Sequence, residues 1–238
     1  MRIFGLIGKN LSHSFSYNFF LKRFKKNNIK DAKYHNFEIE KITDISSILN
    51  KHNIFGLNVT NPYKEQIIPF LDHITDNARM IGAVNTIEFN KNLLIGHNTD
   101  FIGFKKSIYP ILENRNKALI LGNGGSSKAV QYALKQLNVE YKVVSRGSSF
   151  NYNKIDKNIM NYYDIIINTT PLGMFPEIKK YPKIPTNLLT KKHLLFDLIY
   201  NPKETLFLQH GSDHNCIVKN GLEMLHIQAE ESCNIWGV

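Results

Sequence analysis

The chain of 238 residues is 42% hydrophobic and 21% charged, the balance of a water-soluble globular protein with one large or two small domains. No apolar run approaches membrane-spanning length, and Asp197 interrupts even the stretch from Leu194 to Ile199. The net charge of +10 comes from scattered lysines, densest at Lys22-Arg23-Phe24-Lys25-Lys26, without the stripe or motif of a nucleic-acid binder; it suits anionic small molecules instead.

The opening Met1 to Gly8 reads as a strand over Arg2–Ile7, too short and glycine-broken for a signal peptide. Ser12-His13-Ser14-Phe15-Ser16 follows, and a helical pattern runs on through Phe19, Phe20 and Phe24. Ser14 and Ser16 have the hydroxyls to hold a carboxylate, although on local grounds N-capping is the better reading. Tyr34–Ile39 reads as a strand, Asp44–Lys51 as a helix and Phe55–Thr60 as a strand, with helical turns near Lys64–Phe70 and Thr75–Ile81. Ala83–Phe89 and Leu93–Gly96 form a hairpin around Asn90-Lys91-Asn92. After His97-Asn98-Thr99-Asp100 comes a helix with Phe101, Phe104 and Ile108 on one face, stopped by Pro110.

The middle of the chain is a strand, a glycine turn, a helix and a second strand. Ala118 to Leu121 is apolar, Gly122, Gly124 and Gly125 follow, and Ala129, Val130, Ala133, Leu134 and Leu137 recur at helix spacing up to Asn138. Tyr141 to Ser145 closes the first half of a dinucleotide-binding unit. Glycines let the backbone turn tightly against a pyrophosphate and aim helix N–H groups at it. An NAD site would place a carboxylate at the end of the second strand. Here Ser145-Arg146-Gly147 offers an arginine, which suits the 2′-phosphate of NADP.

From Gly147 to Tyr162 apolar periodicity is nearly absent, which predicts a loop or a very short helix. Strands at Tyr163–Asn168, Leu194–Ile199 and Cys216–Val218 and a helix from Leu222 to about Ile235 complete an alternating pattern. The expected class is α/β with parallel sheets. Cys216 and Cys233 make neither a metal-ligand cluster nor a disulfide framework, so no metal and a reducing, cytoplasmic setting are expected.

Chemistry concentrates in Asn58-Val59-Thr60-Asn61-Pro62-Tyr63-Lys64. Strand alternation puts Asn58 and Thr60 on one face, with Leu57 and Val59 in the core. Asn61-Pro62 reads as a helix N-cap and first position, which places Lys64 in the first turn, where the helix dipole would lower its pKa toward proton transfer. Asn168-Thr169-Thr170-Pro171-Leu172-Gly173-Met174 and Asp197-Leu198-Ile199-Tyr200-Asn201-Pro202 leave strands at their C-terminal ends, where open α/β sheets bind ligands.

Together these segments resemble the shikimate dehydrogenase family, in order and over most of the chain. The family's S-x-S pair corresponds to Ser14 and Ser16, its N-V-T-x-P-x-K to Asn58–Lys64, its G-A-V-N-T to Gly82–Thr86 and its N-T-D to Asn98–Asp100. The glycine turn resembles its G-x-G-G loop, and Ser145-Arg146-Gly147 its N-R-T motif. Asn168–Met174, Asp197–Pro202 and Gly221–Ala229 resemble N-x-T-P-x-G-M, D-x-x-Y-N-P and G-x-x-M-L-x-x-Q-A. Three departures stand out. Tyr17, Phe20 and Leu21 replace a proline and a His-Asn pair, Ser145 and Gly147 replace Asn and Thr with Ser148 or Ser149 as substitutes, and the helix after that motif is shortened.

The resemblance implies NADP-dependent interconversion of 3-dehydroshikimate and shikimate in aromatic amino-acid biosynthesis. It implies an α/β substrate domain over residues 1–99, completed by the returning C-terminal helix at 221–238, and a Rossmann-like NADP domain over 100–220. Lys64 and Asp100 would be catalytic, in a cleft where Ser14 and Ser16 take the substrate carboxylate. Thr60, Asn85 and Gln228 would join them on the ring hydroxyls, with Asn58 and Tyr200 nearby. Gly122, Asn123, Gly124, Gly125, Ser126, Ser145, Arg146, Thr169, Thr170, Leu198, Gly221 and Met224 would hold NADP. The expected partners are these small molecules, with neither nucleic acid nor membrane, in a monomer or homodimer. A quinate/shikimate dehydrogenase with relaxed NAD or NADP use is the nearest alternative. A non-catalytic NADP-binding protein on the same scaffold is the other, against which Lys64 and Asp100 argue.

Overall fold

The computed structural model describes residues 1–11, 14–51, 53–91 and 93–238. Its contacts divide it into two compact units, Met1–Thr99 with Gln228–Val238, and Asp100–Ile227. The second boundary therefore falls at Gln228 rather than at the expected residue 221, inside the last helix.

The first unit contains β1 (Arg2–Gly8), α1 (Phe15–Lys26), β2 (Ala32–Glu38), α2 (Ile45–Lys51), β3 (Ile54–Val59), β4 (His73–Ile74), α3 (Asp76–Ile81), β5 (Thr86–Asn90) and β6 (Leu93–His97). Its sheet runs in the order β2-β1-β3-β5-β6-β4. β1 lies parallel to β2 and β3, whereas β5 is antiparallel to both β3 and β6. The β5–β6 pair is the expected hairpin, and β5 lying antiparallel to β3 makes the sheet mixed, which corrects the expectation of a parallel sheet. The link between β5 and β6 is far too short for the crossover that parallel neighbours need; its Asn92 lies outside the described residues.

Strand periodicity gives this sheet two apolar faces. Phe4 and Leu6 pack with Phe20 and Phe24 of α1, Tyr34, Ala229 and Cys233, while Ile7 packs with Ile45, Ile48, Leu57, Val59 and Ile87. α1 buries Phe20 and Phe24, one turn apart, and places Arg23, Lys25 and Lys26 in its last turn, where the helix dipole favours cations. The residues that replace the family's proline and His-Asn pair therefore sit within a regular helix, with Phe20 buried and Tyr17 and Leu21 exposed.

Residues 61–67 form turns, and only Ile68–Phe70 closes as a 3₁₀ turn, so the expected helix start at Asn61-Pro62 is absent. The Asn61–Pro62 peptide is cis. Tyr63 and Ile67 are buried anchors, and the Lys64 carbonyl accepts from the Val84 amide at 2.7 Å rather than from the next helical turn. The Ile67 amide still donates to the Tyr63 carbonyl at 2.9 Å, a single helical turn that goes no further because the next carbonyl, that of Lys64, is engaged by Val84.

The second unit contains α4 (Asp100–Ile108), β7 (Lys117–Leu121), α5 (Gly125–Gln136), β8 (Glu140–Val144), α6 (Lys157–Tyr162), β9 (Ile165–Asn168), β10 (Leu194–Asp197), α7 (Leu206–Asp213), β11 (Ile217–Lys219) and the first part of α8 (Leu222–Trp236). The sheet order is β11-β10-β9-β7-β8, every pair parallel. Ala118–Leu121, Ile165–Ile167 and Leu194–Phe196 are all fully buried, the continuous apolar runs of a sheet covered on both faces. The strand order reverses at β7 and β9, which makes their C-terminal ends the place for a ligand. α6 is short, as the missing periodicity predicts. α7 was not expected; Thr205 caps it by accepting from the Leu208 amide.

Candidate active site

At the switch point, β7 is followed by Gly122, whose φ of +108° favours glycine. A Cβ there would lie 2.7 Å from Thr169 Oγ1, so a side chain would push β7 away from the loop after β9. Thr169 Oγ1 donates to the Leu121 carbonyl at 2.7 Å, and the Ser127 hydroxyl to the Gly122 carbonyl at 2.8 Å. Asn123 and Gly124 are exposed, while Gly125 and Ser126 begin α5. The first turn of α5 carries no acidic residue, and the space around Gly124 is open. This is a helix N-terminus that fits a pyrophosphate.

β8 delivers Ser145, buried, and Arg146, exposed. The Ser148 hydroxyl is within 3.1 Å of the Ser145 carbonyl and 2.6 Å of the Phe150 carbonyl. Its single proton is therefore held inside the turn, which corrects the expectation that Ser148 replaces a missing phosphate donor; Ser149 stays exposed. Around Gly147 the space is open, and its neighbour Arg146 is exposed. The residues present fit a 2′-phosphate, with no carboxylate to repel it.

Below the switch point a buried carboxylate ties two loops together. Asp197 accepts from Asn168 Nδ2 and the Ile199 amide at 3.0 Å each and from the Thr205 hydroxyl at 2.6 Å. Asn168 Oδ1 in turn accepts from the Thr170 amide and hydroxyl. Burial pushes the Asp197 carboxyl up to about 6, against the opposing pull of Thr205, Ile199 and Asn168. A folded pKa above the unfolded value of about 3.9 means that this group supports folding fully below that pH and loses its contribution as pH rises through about 6. A ¹³C NMR titration of this carboxyl is expected to show a midpoint near 6. A midpoint at the ordinary carboxylate value would contradict the burial argument.

Gly221 packs against the loop that carries Leu198, with its amide donating to the Ile199 carbonyl at 3.0 Å. A Cβ at Gly221 would lie 2.0 Å from the Leu198 carbonyl oxygen, inside van der Waals contact with backbone. Gly221→Ala is expected to destabilise the second unit by about 1–3 kcal/mol or more. A thermal melt checks this, and an unchanged midpoint would show that the loop yields freely. Met224, one turn further on, is buried.

In the first unit a polar network joins three of the expected substrate residues. Asn58 Nδ2 lies 3.0 Å from Ser232 Oγ, 3.2 Å from Thr86 Oγ1 and 3.4 Å from the Asn85 carbonyl. Asn58 Oδ1 accepts the Tyr34 hydroxyl at 2.9 Å. Asn85 Nδ2 donates to Thr99 Oγ1 at 2.9 Å and Gln228 Oε1 at 3.3 Å, and Asn85 Oδ1 accepts the Thr99 amide at 2.7 Å. Asn58, Asn85 and Gln228 are thereby connected, with the amides of Asn58 and Asn85 buried and fixed in orientation, while Ser16 lies in the first turn of α1, half-buried. Tyr34, Thr86, Thr99 and Ser232 had no assigned role in the sequence. Ser232 stands one helical turn after Gln228 on α8, a spacing that puts the two on one face; nothing in the sequence marks the Tyr34 hydroxyl.

Ser14 is the N-cap of α1 but makes no side-chain cap hydrogen bond, and the first turn of α1 holds no acid. That leaves a helix start suited to an anion; Ser12 and His13 lie outside the described residues. Thr60 follows β3, with its amide donating to the Ile7 carbonyl at 2.9 Å. Lys64 is half-buried on the turn tied to Val84, next to the segment that carries Asn85. Because no helix starts at Pro62, the helix-dipole argument for Lys64 does not hold. Asp100, buried, opens α4, and Tyr200 follows β10, both in the second unit. Among the described residues no cluster of His, Cys, Asp or Glu is placed to hold a metal ion, and no helix is long and apolar enough to cross a membrane.

Residues 6–87 match the family model described as the shikimate dehydrogenase substrate binding domain. Over 246 residues the chain is 39% identical to a shikimate dehydrogenase (NADP(+)) from Clostridium botulinum, covering 98% of this chain and 95% of that protein. It superposes on a crystal structure of shikimate dehydrogenase 1 from Peptoclostridium difficile with a TM-score of 0.89 at 38% identity, covering 100% of this chain and 92% of the other. A structure from Thermus thermophilus, in complex with NADP(H) and shikimate, aligns with a TM-score of 0.89 at 26% identity and covers 100% and 94% of the two chains.

Proposed function

The chain belongs to the shikimate dehydrogenase family, and from that premise we propose that it reduces 3-dehydroshikimate to shikimate, reversibly, with NADPH. One observation carries this reading. A glycine turn at a sheet's switch point opens onto a bare helix start, and an arginine stands where an NAD site has its carboxylate. The reaction belongs to aromatic amino-acid biosynthesis.

NADPH, when bound, supplies the hydride that reduces the substrate ketone. The backbone amides of Asn123, Gly124, Gly125 and Ser126 bind its pyrophosphate at the turn made by Gly122, whose own amide donates to the Val144 carbonyl at 2.8 Å, and Ser145 and Arg146 bind its 2′-phosphate. Thr169, Thr170, Leu198, Gly221 and Met224 form the remaining wall. In the first unit Ser14 and Ser16 hold the substrate carboxylate at the start of α1. Thr60, Asn85 and Gln228 bind ring hydroxyls, supported by Asn58, and Tyr200 belongs to the same substrate set. Negative charge develops on the ketone oxygen during reduction, so a positioned proton donor lowers the barrier. Lys64 is that donor, and Asp100 is the second catalytic residue, acting on a substrate hydroxyl. We place the enzyme in the cytoplasm as a monomer or homodimer, a setting in keeping with the free thiols of Cys216 and Cys233.

Purified protein mixed with NADPH and 3-dehydroshikimate is expected to consume the reduced nicotinamide, and with shikimate and NADP⁺ to run in reverse. Turnover of quinate at a rate comparable to shikimate would move the assignment to the quinate/shikimate alternative.

A further inference from the structure

Asp197 is fully buried at the end of β10, apart from the groups assigned to substrate and cofactor. Burial lifts its carboxyl to about 6, still below neutral, so at pH 7 it is ionised and can only accept hydrogen bonds. Three donors meet it. Asn168 Nδ2 from β9 and the Ile199 amide reach Oδ1, and the Thr205 hydroxyl from the cap of α7 reaches Oδ2. The first bond fixes the Asn168 amide with its oxygen turned to the Thr170 amide at 3.0 Å and the Thr170 hydroxyl at 2.7 Å. The second fixes Ile199, whose carbonyl accepts the Gly221 amide at 3.0 Å. The Leu198 amide donates to the Asn168 carbonyl, also at 3.0 Å. Thr170, Leu198 and Gly221 come from three separate segments, and all three hang on one carboxylate.

The strand order β11-β10-β9-β7-β8 says which part of the cofactor these residues meet. Ser145 and Arg146, after β8, take the 2′-phosphate of the adenosine half, and the glycine turn after β7 takes the pyrophosphate. A dinucleotide laid from β8 across β7 has its nicotinamide half over the ends of β9 and β10. We propose that Asp197 is a positioning residue for that half: it holds Thr170, Leu198 and Gly221 as one surface, against which the nicotinamide is aligned for hydride transfer. The proposal rests on the reading that this unit binds NADPH. A carboxylate suits the task because its two oxygens take three donors at once, which no alcohol or amide of that size does. Bonds to an ionised acceptor are also the stronger kind.

Asp197→Ala strands the three donors and releases the segments they hold. It is expected to raise the Kd for NADPH, read by fluorescence titration, about five- to thirtyfold. Adenosine 2′,5′-bisphosphate carries the adenosine half alone, and its Kd by calorimetry is expected to stay within about twofold. A general loss of structure would weaken both ligands alike. Loss of alignment is expected to lower kcat about 10- to 100-fold. Asp197→Asn is expected to recover most of both losses, since its amide oxygen keeps Asn168 and Ile199 while its N–H turns to the Thr205 oxygen. Equal weakening of NADPH and the bisphosphate, unchanged NADPH affinity, or no recovery in Asp197→Asn would overturn the role of Asp197 and leave the NADP reading standing. If the native protein bound neither ligand, the NADP reading would fail first and the proposal with it. Should Asp197→Ala not fold, Asn168→Ala cuts the tie to Thr170 and leaves Asp197 its bonds to Ile199 and Thr205. The same split between the two ligands is expected there, and its absence would overturn the proposal.

Discussion

Lys64→Ala is expected to lower kcat by about 10²- to 10⁴-fold, the range a positioned general acid or base contributes, while the affinity for NADPH changes little. The reduced ketone must gain a proton as it gains a hydride, and Lys64 is the group assigned to give it. The substitution leaves the local fold intact, because what anchors this turn is the backbone bond from Val84 to the Lys64 carbonyl and the burial of Tyr63 and Ile67. Lys64→Arg is expected to be nearly as poor, since a guanidinium holds its proton too tightly to transfer it. Steady-state kcat together with a fluorescence titration of NADPH separates chemistry from binding. Unchanged turnover in Lys64→Ala would remove this residue from the mechanism.

Arg146→Ala is expected to raise the KM for NADPH about 10- to 100-fold and to leave the KM for NADH unchanged. An arginine paired with a phosphate makes charge-assisted bonds, and NADH has no phosphate at that position to lose them. Beside Arg146, Ser145 adds only a neutral hydroxyl, and Gly147 has no side chain to add. Ser145 is buried, and the nearby Ser148 hydroxyl is committed to the Ser145 and Phe150 carbonyls. Discrimination therefore rests on one cation. Equal weakening of both cofactors would mean that Arg146 contacts a part of the nucleotide common to both.

The nucleotide unit was legible because its signals are local. Three glycines between an apolar run and a helical repeat specify a turn whatever lies elsewhere, and fully apolar strands such as Ile165–Ile167 mark a sheet covered on both faces. The Asn61-Pro62 pair misled for the opposite reason. Its capping chemistry is a local signal, but the Lys64 carbonyl is claimed by Val84, a partner distant in sequence. The mixed sheet of the first unit was hidden in the same way, since the direction of β5 beside β3 depends on pairing across the fold rather than on either strand's pattern. In the candidate site, motif residues such as Asn58 and Asn85 could be named from sequence. Their supports, Tyr34 and Ser232, could not, because a buried hydroxyl is recognised only by what it faces. Thr205 and the apolar residues after it do carry a local capping signal for α7.

The claim on which the rest depends is that this chain moves a hydride from NADPH to the ring of a hydroxylated acid. NADPH deuterated at the transferable position of nicotinamide C4 tests it directly, with the product of the reaction with 3-dehydroshikimate read by NMR and mass spectrometry. The account predicts shikimate carrying the deuterium on the carbon that was the ketone. Recovery of unlabelled 3-dehydroshikimate, with both ligands shown to bind, would contradict it.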